Sequence, residues 1–288
     1  MKTIRTINEL RRIVNPARRA GKVIALVPTM GNLHAGHLSL IRRARAASDV
    51  VIVSIFVNPT QFGPNEDFAT YPRTPDADLD ACRNNGADIV FMPAVDDMYP
   101  YDGGLTTVSV SKLGDNLCGA SRPGHFAGVC TVVSKLFNIA QCDKAFFGMK
   151  DFQQMAIIRR MVEDLNFPVE IVACPTVRES DGLAMSSRNS RLTSDERQQA
   201  PALWKSLSDA RRMILTSNPQ ASEVIDAIKA SLARNAPDGV IDYVKIVHPH
   251  TLNDVQVTSP QVLVAVAVKF TNARLIDNIL VDAADDRA

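Results

Sequence analysis

Five short polar motifs hold the residues most capable of chemistry. In PTMGNLHAGH (28–37), His34 and His37 stand three apart where a helix is expected to begin. That spacing puts both rings on one helix face, beside backbone N–H groups and the positive end of the helix dipole, an arrangement suited to phosphate. The other reading is that one histidine caps the helix while the second packs in the surface. MSSR supplies Ser186, Ser187 and Arg188 in a stretch without apolar periodicity, either as hydrogen bonds and fixed charge for a polyphosphate or as a polar turn. GMKDFQQ (148–154) offers Lys150 as a mobile cation and Asp151 as an acceptor for a ribose hydroxyl or as a helix cap. Of the adjacent Gln153 and Gln154, about 100° apart on a helix, one is expected to face the site. NPTQFG (58–63) brings Asn58 and Gln61, amides that can serve small polar substrates or simply form a turn. RPGHF adds Arg122 and His125 behind a Pro-Gly turn, readable also as a surface charge and a helix cap.

These motifs need strands and helices to position them. The runs 22–28, 50–59, 87–93, 144–148 and 168–175 are apolar almost throughout and read as strands, while 37–48, 125–140 and 151–166 have helical spacing. Strands apolar on both faces belong to a parallel sheet flanked by helices, so residues 1–175 are expected to form a doubly wound α/β domain. After Pro175 the pattern changes to helical segments near 195–216 and 220–234 and strands at 242–249 and 261–270, a smaller α+β domain over 176–288. Four of the motifs, at 28–37, 58–63, 148–154 and 176–188, follow strands. In an open parallel sheet the carboxyl ends form the ligand crevice, so they are expected to converge there, in a cleft between the two domains.

Composition narrows the function classes. The 288 residues carry 32 Lys plus Arg against 31 Asp plus Glu, and this balance gives no reason to expect a nucleic-acid or membrane-binding surface. Cys82, Cys118, Cys130, Cys142 and Cys174 are scattered without zinc-ligand spacing and read as reduced, mostly buried residues, and no protein-held metal is expected. The N-terminal stretch lacks a signal-peptide core and no later run is long enough to span a bilayer, which makes a cytoplasmic location the default expectation.

Taken in order, PTMGNLHAGH, NPTQF, RPGHFAGV, GMKDFQQ, MSSRN and the late ARLIDN (273–278) closely resemble the pantothenate synthetase family over essentially the whole chain. HAGH and MSSR separately are similar to motifs of the wider nucleotidylyltransferase and class I aminoacyl-tRNA synthetase superfamily. The resemblance implies a Rossmann-like first domain, a C-terminal lid, a homodimer, and ATP with Mg²⁺, pantoate and β-alanine as small-molecule partners. It implies that Met30, Gly31, Asn32, Leu33, His34, Ala35, Gly36 and His37 bind ATP, with His37 as proton donor and His34 on the phosphates. Gly148, Met149, Lys150, Asp151, Val177, Met185, Ser186, Ser187 and Arg188 would complete the nucleotide site, with His34, His37, Lys150 and Arg188 assisting the chemistry. Gln61 and Gln154 would hold pantoate, Gln61 would also approach β-alanine, and Asn58 and Arg122 are further additions. Asn32, Ala35 and Met149 stand where Ala or Tyr, Glu, and Glu or Gln are more usual, so the resemblance assigns those positions without a side-chain role.

The implied reaction activates pantoate as an acyl adenylate, with release of pyrophosphate, and then transfers the acyl group to the β-alanine amine, with release of AMP. Two alternatives stand beside it: an adenylyltransferase that forms pyrophosphate but no AMP, and a module that binds adenine nucleotide without turnover.

Overall fold

A strand covered by helices on both faces can be apolar at every position, and the first sheet of the computed structural model is built from such runs. Residues 1–63, 68–258 and 261–282 are described. The sheet contains β1 (Lys2–Ile4), β2 (Ile24–Thr29), β3 (Val50–Ile55), β4 (Ile89–Phe91), β5 (Lys144–Gly148) and β6 (Glu170–Cys174) in the order β1-β4-β3-β2-β5-β6. Every pairing is parallel. Ile24 to Val27, Val51 to Val53 and Ala145 to Phe147 are buried. Each fully buried aliphatic side chain contributes about 1.5–3 kcal/mol.

The helices between the strands are α1 (Ile7–Arg19), α2 (Ala35–Ala46), α3 (Pro75–Asn84), the short α4 (Val95–Met98), α5 (Pro100–Gly103) and α6 (Cys118–Ser121), then α7 (His125–Ala140) and α8 (Phe152–Asp164). The chain moves outward from β2 through β3 to β4 and then returns to place β5 on the other side of β2. The strand order therefore reverses between β2 and β5, and the carboxyl ends there are where an open parallel sheet accepts ligands. The histidine motif leaves β2 at that edge, and Gly148 ends β5 at the same edge.

The C-terminal elements are α9 (Ser194–Gln199), α10 (Ala202–Ser217), α11 (Ala221–Asn235) and the antiparallel sheet β7 (Val240–Val247), β8 (Gln261–Lys269) and β9 (Arg274–Asp282). Leu203, Leu207 and Ile214 of α10 with Val224, Ile228 and Leu232 of α11 share a core with Val262, Val264, Val266 and Val268 of β8. The chain divides into two compact units, Met1–Met149 with Gln154–Pro175, and Lys150–Gln153 with Thr176–Ala288. Lys150 and Asp151 thus group with the C-terminal unit, although the sequence reading placed them in the N-terminal domain.

Several elements differ from the sequence reading, each for an identifiable reason. The helical signal over 195–216 is two helices, because Pro201 lacks the N–H that a continuous helix would need and stands instead at the N-cap of α10. The charged start of the chain folds as β1 and α1, with Thr6 and Glu9 forming a reciprocal capping box. The ARLIDN segment, read only as a motif, begins β9. All five cysteines are buried thiols, as expected, and burial pushes those of Cys82 and Cys142 up to about 12.

A glycine inside a helix costs stability unless something approaches it closely, and Gly128 of α7 has such a neighbour. An added Cβ would overlap the carbonyl of Thr60, in the 3₁₀ turn Pro59–Gln61, and the next backbone nitrogen. Gly128→Ala should therefore destabilise the protein by about 1–3 kcal/mol, read from the urea midpoint, because backbone rather than a flexible side chain must yield.

Candidate functional site

The turn after β2 is built from two consecutive residues in the left-handed region, Gly31 at φ 85° and Asn32 at φ 52°. Such a turn points successive amides the same way, and here they have a buried acceptor. Asp78 of α3, 2% exposed, takes Asn32 N–H on Oδ2 at 2.9 Å and Leu33 N–H on Oδ1 at 2.8 Å. A Cβ at Gly31 would stand 2.9 Å from Asp78 Oδ2, so the close approach as well as the φ calls for glycine. Thr29 Oγ1 donates to Ser54 O at 2.8 Å and accepts from Gly31 N–H at 3.3 Å, tying the same turn to β3.

From this turn the chain enters α2 through a capping box made by two imidazoles. His34 Nδ1 accepts Gly36 N–H at 3.2 Å, and His37 Nδ1 accepts His34 N–H at 3.3 Å. Backbone N–H can only donate, so both Nδ1 atoms are acceptors and, in the neutral rings, both protons sit on Nε2. The ring centroids are 4.1 Å apart. Of the two readings of this motif, capping is thus realised by both histidines, and it makes each Nε2 a donor.

The amide motif lies in the same unit. Asn58 is 1% exposed, and its side chain is committed on both ends. Oδ1 accepts from Tyr99 Oη at 2.8 Å and Thr60 Oγ1 at 3.0 Å, while Nδ2 donates to Gly128 O and Gln61 Oε1, each at 3.2 Å. This burial gives Asn58 a scaffold part, shaping the turn that presents Gln61. Gln61 Nε2 in turn reaches Met30 Sδ at 3.1 Å, so the β2 and β3 loops meet through side chains the sequence had singled out. Arg122 Nη1 lies 3.0 Å from His125 Nε2, and since a guanidinium can only donate, His125 keeps its proton on Nδ1 and donates it to Gln61 O at 2.8 Å. The RPGHF motif therefore also serves to hold the Gln61 backbone. Gln154 is half-buried in α8, whereas Gln153 is buried.

In the C-terminal unit, residues 177–185 form a small hairpin. Met185 N–H donates to Val177 O at 3.0 Å, Glu179 N–H to Leu183 O at 2.8 Å, and Gly182 turns the chain at φ 91°. Ser186 caps the following 3₁₀ turn, Ser187–Arg191, by accepting Arg188 N–H at 3.2 Å, so the MSSR segment leaves the hairpin directly. Arg197 binds Glu179 at 2.7 Å and Asp181 at 2.6 Å, and that contact holds the Asp181 carboxyl below its usual range. Lys150 Nζ stands 3.7 Å from Asp151 Oδ2.

Asp78, Tyr99 and Arg178 escaped the sequence reading. Asp78 sits in the charged run PDADLDACRN, where alternating acids look like a solvated helix face. The available signal for Asp78 was Gly31, a glycine in the motif turn whose missing Cβ leaves room for the carboxylate.

Removing the Asp78 carboxylate would orphan two backbone amides. Asp78→Ala should cost about 2–5 kcal/mol, and Asp78→Asn, which keeps one acceptor oxygen, should fall between it and the parent in urea unfolding. Equal stability of all three would contradict the clamp.

Comparisons with known proteins identify the family. The family model described as pantoate-beta-alanine ligase matches residues 2–280. The chain is 51% identical to the pantothenate synthetase of Acetivibrio thermocellus over 286 residues, covering 98% of this chain and all of the relative. It is 52% identical to that of Moorella thermoacetica over 285 residues, covering 99% and 100%. Among solved structures, pantothenate synthetase from Thermus thermophilus superposes with a TM-score of 0.91 at 44% identity, covering 97% of this chain and 99% of that one. A pantoate-beta-alanine ligase from Francisella tularensis, complexed with beta-gamma ATP and beta-alanine, gives 0.79 at 35% identity, covering 97% of each. The chain belongs to the pantoate–β-alanine ligase family.

Proposed function

We propose that this ligase condenses pantoate with β-alanine at the expense of ATP, through a pantoyl adenylate, releasing pyrophosphate and AMP. The observation that carries the reading is the histidine pair. His34 and His37 each spend Nδ1 on a backbone amide and so carry the proton on Nε2, at the N-terminus of α2 and beside the strand-order reversal. Two fixed neutral donors at a helix start suit an ATP phosphate. His37, the proton donor that the family resemblance implies, would offer its Nε2–H as a hydrogen bond to the phosphates, with His34 its neighbour there.

The remaining roles are those that the family resemblance implies, and the chemistry of the groups is compatible with them. Lys150 and Arg188 supply positive charge, and Ser186 and Ser187 supply donors, for the phosphates. Asp151 accepts from a ribose hydroxyl. Met30 to Leu33, Ala35, Gly36, Gly148, Met149, Val177 and Met185 line the nucleotide. Gln61 and Gln154 hold pantoate, with Gln61 also near β-alanine, while Asn58 and Arg122 act through Gln61. Mg²⁺ would enter with ATP as part of the MgATP substrate, neutralising phosphate charge. A homodimer and a cytoplasmic location complete the proposal; no described helix is long and apolar enough to cross a membrane.

In the first step an oxygen of the pantoate carboxylate, already ionised at neutral pH with a pKa of about 4, bonds to the α-phosphorus while the bond to the bridging oxygen breaks and pyrophosphate leaves. This step needs no general base. In the second, the unprotonated β-alanine nitrogen bonds to the acyl carbon, the acyl–oxygen bond breaks, AMP leaves with that oxygen, and the amine proton passes to water.

Release of AMP from MgATP should require both D-pantoate and β-alanine, and Lys150→Ala should lower kcat by on the order of 100-fold or more. Pyrophosphate without amine-dependent AMP would favour the adenylyltransferase reading, and no turnover would favour a binding module. Because only the free amine attacks, kcat/KM for β-alanine should rise with pH from 7 toward 9; a flat profile measured by initial rates would count against the second step as written.

A further inference from the structure

The ARLIDN motif has no part in the chemistry above, yet it contains an acid where an apolar side chain is expected. Side chains alternate along β9, and Leu275, Ile279 and Val281 point into the core shared with α10 and α11. Asp277 occupies that same face and is 3% exposed. A carboxylate in this position is costly unless it is paired and hydrogen-bonded, and its partner is Arg178. Arg178 Nη1 and Nη2 donate to Asp277 Oδ2 at 2.7 Å and Oδ1 at 3.0 Å, a two-pronged pair. The same guanidinium lies 3.4 Å from the centre of the Trp204 ring and donates to Gly182 O at 3.1 Å. Gly182 has no room for a Cβ against Trp204. Arg178, on the first arm of the hairpin, therefore ties that arm to the turn at Gly182, Asp277 fixes Arg178, and the second arm runs into Ser186, Ser187 and Arg188.

The next residue faces the other way. Asn278 Nδ2 donates to the backbone carbonyl of Lys150 at 2.8 Å, 128 residues earlier in the chain, and so fixes the short turn Met149–Asp151 from which the lysine projects. Two adjacent residues on one strand hold two separate cationic segments. A side chain anchored by packing and hydrogen bonds on a strand is a rigid reference point, and errors of about 1 Å in the placement of catalytic groups can cost on the order of 100-fold in rate.

We propose that Asp277 and Asn278 are positioning residues for adenylation, setting the place of Lys150 relative to Ser186, Ser187 and Arg188. The inference rests on the adenylating function proposed above, and its failure is separable from the failure of that reading. The parent enzyme must first give AMP that depends on both acid and amine; if it does not, the functional reading fails. Given that activity, Asn278→Ala, checked for folding by circular dichroism and thermal unfolding, should lower kcat by ~10–100-fold while KM for β-alanine stays within about threefold. The loss should appear in pantoate-dependent exchange of labelled pyrophosphate into ATP. In a Lys150→Ala background the same change should cost less than about threefold, because the group being positioned is gone. A parent-like kcat for Asn278→Ala, or an equal loss in both backgrounds, would overturn the proposal. Should Asn278→Ala fail to fold, Asn278→Asp, which keeps the shape and removes the donor, reads the same quantity. Arg178→Lys tests the other arm: it keeps the charge but loses the fork and the ring contact, and a parent-like exchange rate would remove Asp277 from the proposal.

Discussion

Loops proposed to bind a polyphosphate must hold their donors in place before the ligand arrives, and in the N-terminal unit that constraint is met by one buried carboxylate. Asp78 accepts two successive amides of a left-handed turn, which sets the direction in which the chain leaves β2 and enters α2. The capping by His34 and His37 depends on that direction. So does Met30, whose sulfur meets Gln61 and joins the turn to the amide motif.

The C-terminal unit uses the same physical device with a different partner. There Asp277 is neutralised by Arg178, and the arginine, not the backbone, carries the constraint outward to the hairpin. In both cases an acid buried to 3% or less fixes a turn that is followed at once by the proposed phosphate donors, HAGH in one unit and MSSR in the other. Burying a carboxylate is unfavourable unless every lone pair finds a partner, so such a residue tolerates few alternative loop conformations. The enzyme thereby converts the cost of an unsatisfied charge into rigidity at the loops.

Much of this was legible before the structure. Runs such as VVIVSIFV and KAFFG could only be covered strands, and the helix His125–Ala140 has the bounds its spacing gave. The polar motifs were recognisable as chemistry because histidine, lysine, serine and arginine stood just beyond strand ends. What escaped was anything defined by a partner far along the chain. Asp78 reads as one of several acids on an exposed helix until Asn32 and Leu33 are seen against it, 46 and 45 residues away. Asn58 was readable as an amide for substrate or as part of a turn, and the partners that its side chain has in the fold, Tyr99, Thr60, Gly128 and Gln61, could not be named from the sequence. Asp277 stood in a segment read only as a motif, and its pairing with Arg178, 99 residues earlier, could not be named without the fold.

Oxygen transfer reads the central claim, an acyl adenylate, without depending on any single residue role. With pantoate labelled by ¹⁸O in its carboxylate, turnover with ATP and β-alanine should deliver one labelled oxygen per molecule into AMP, detected by mass spectrometry, because the carboxylate oxygen that bonds to the α-phosphorus stays there when the amine displaces AMP. Unlabelled AMP, or label found in pyrophosphate or phosphate, would mean that the acid is activated at another phosphorus, and the account given for these residues would be wrong.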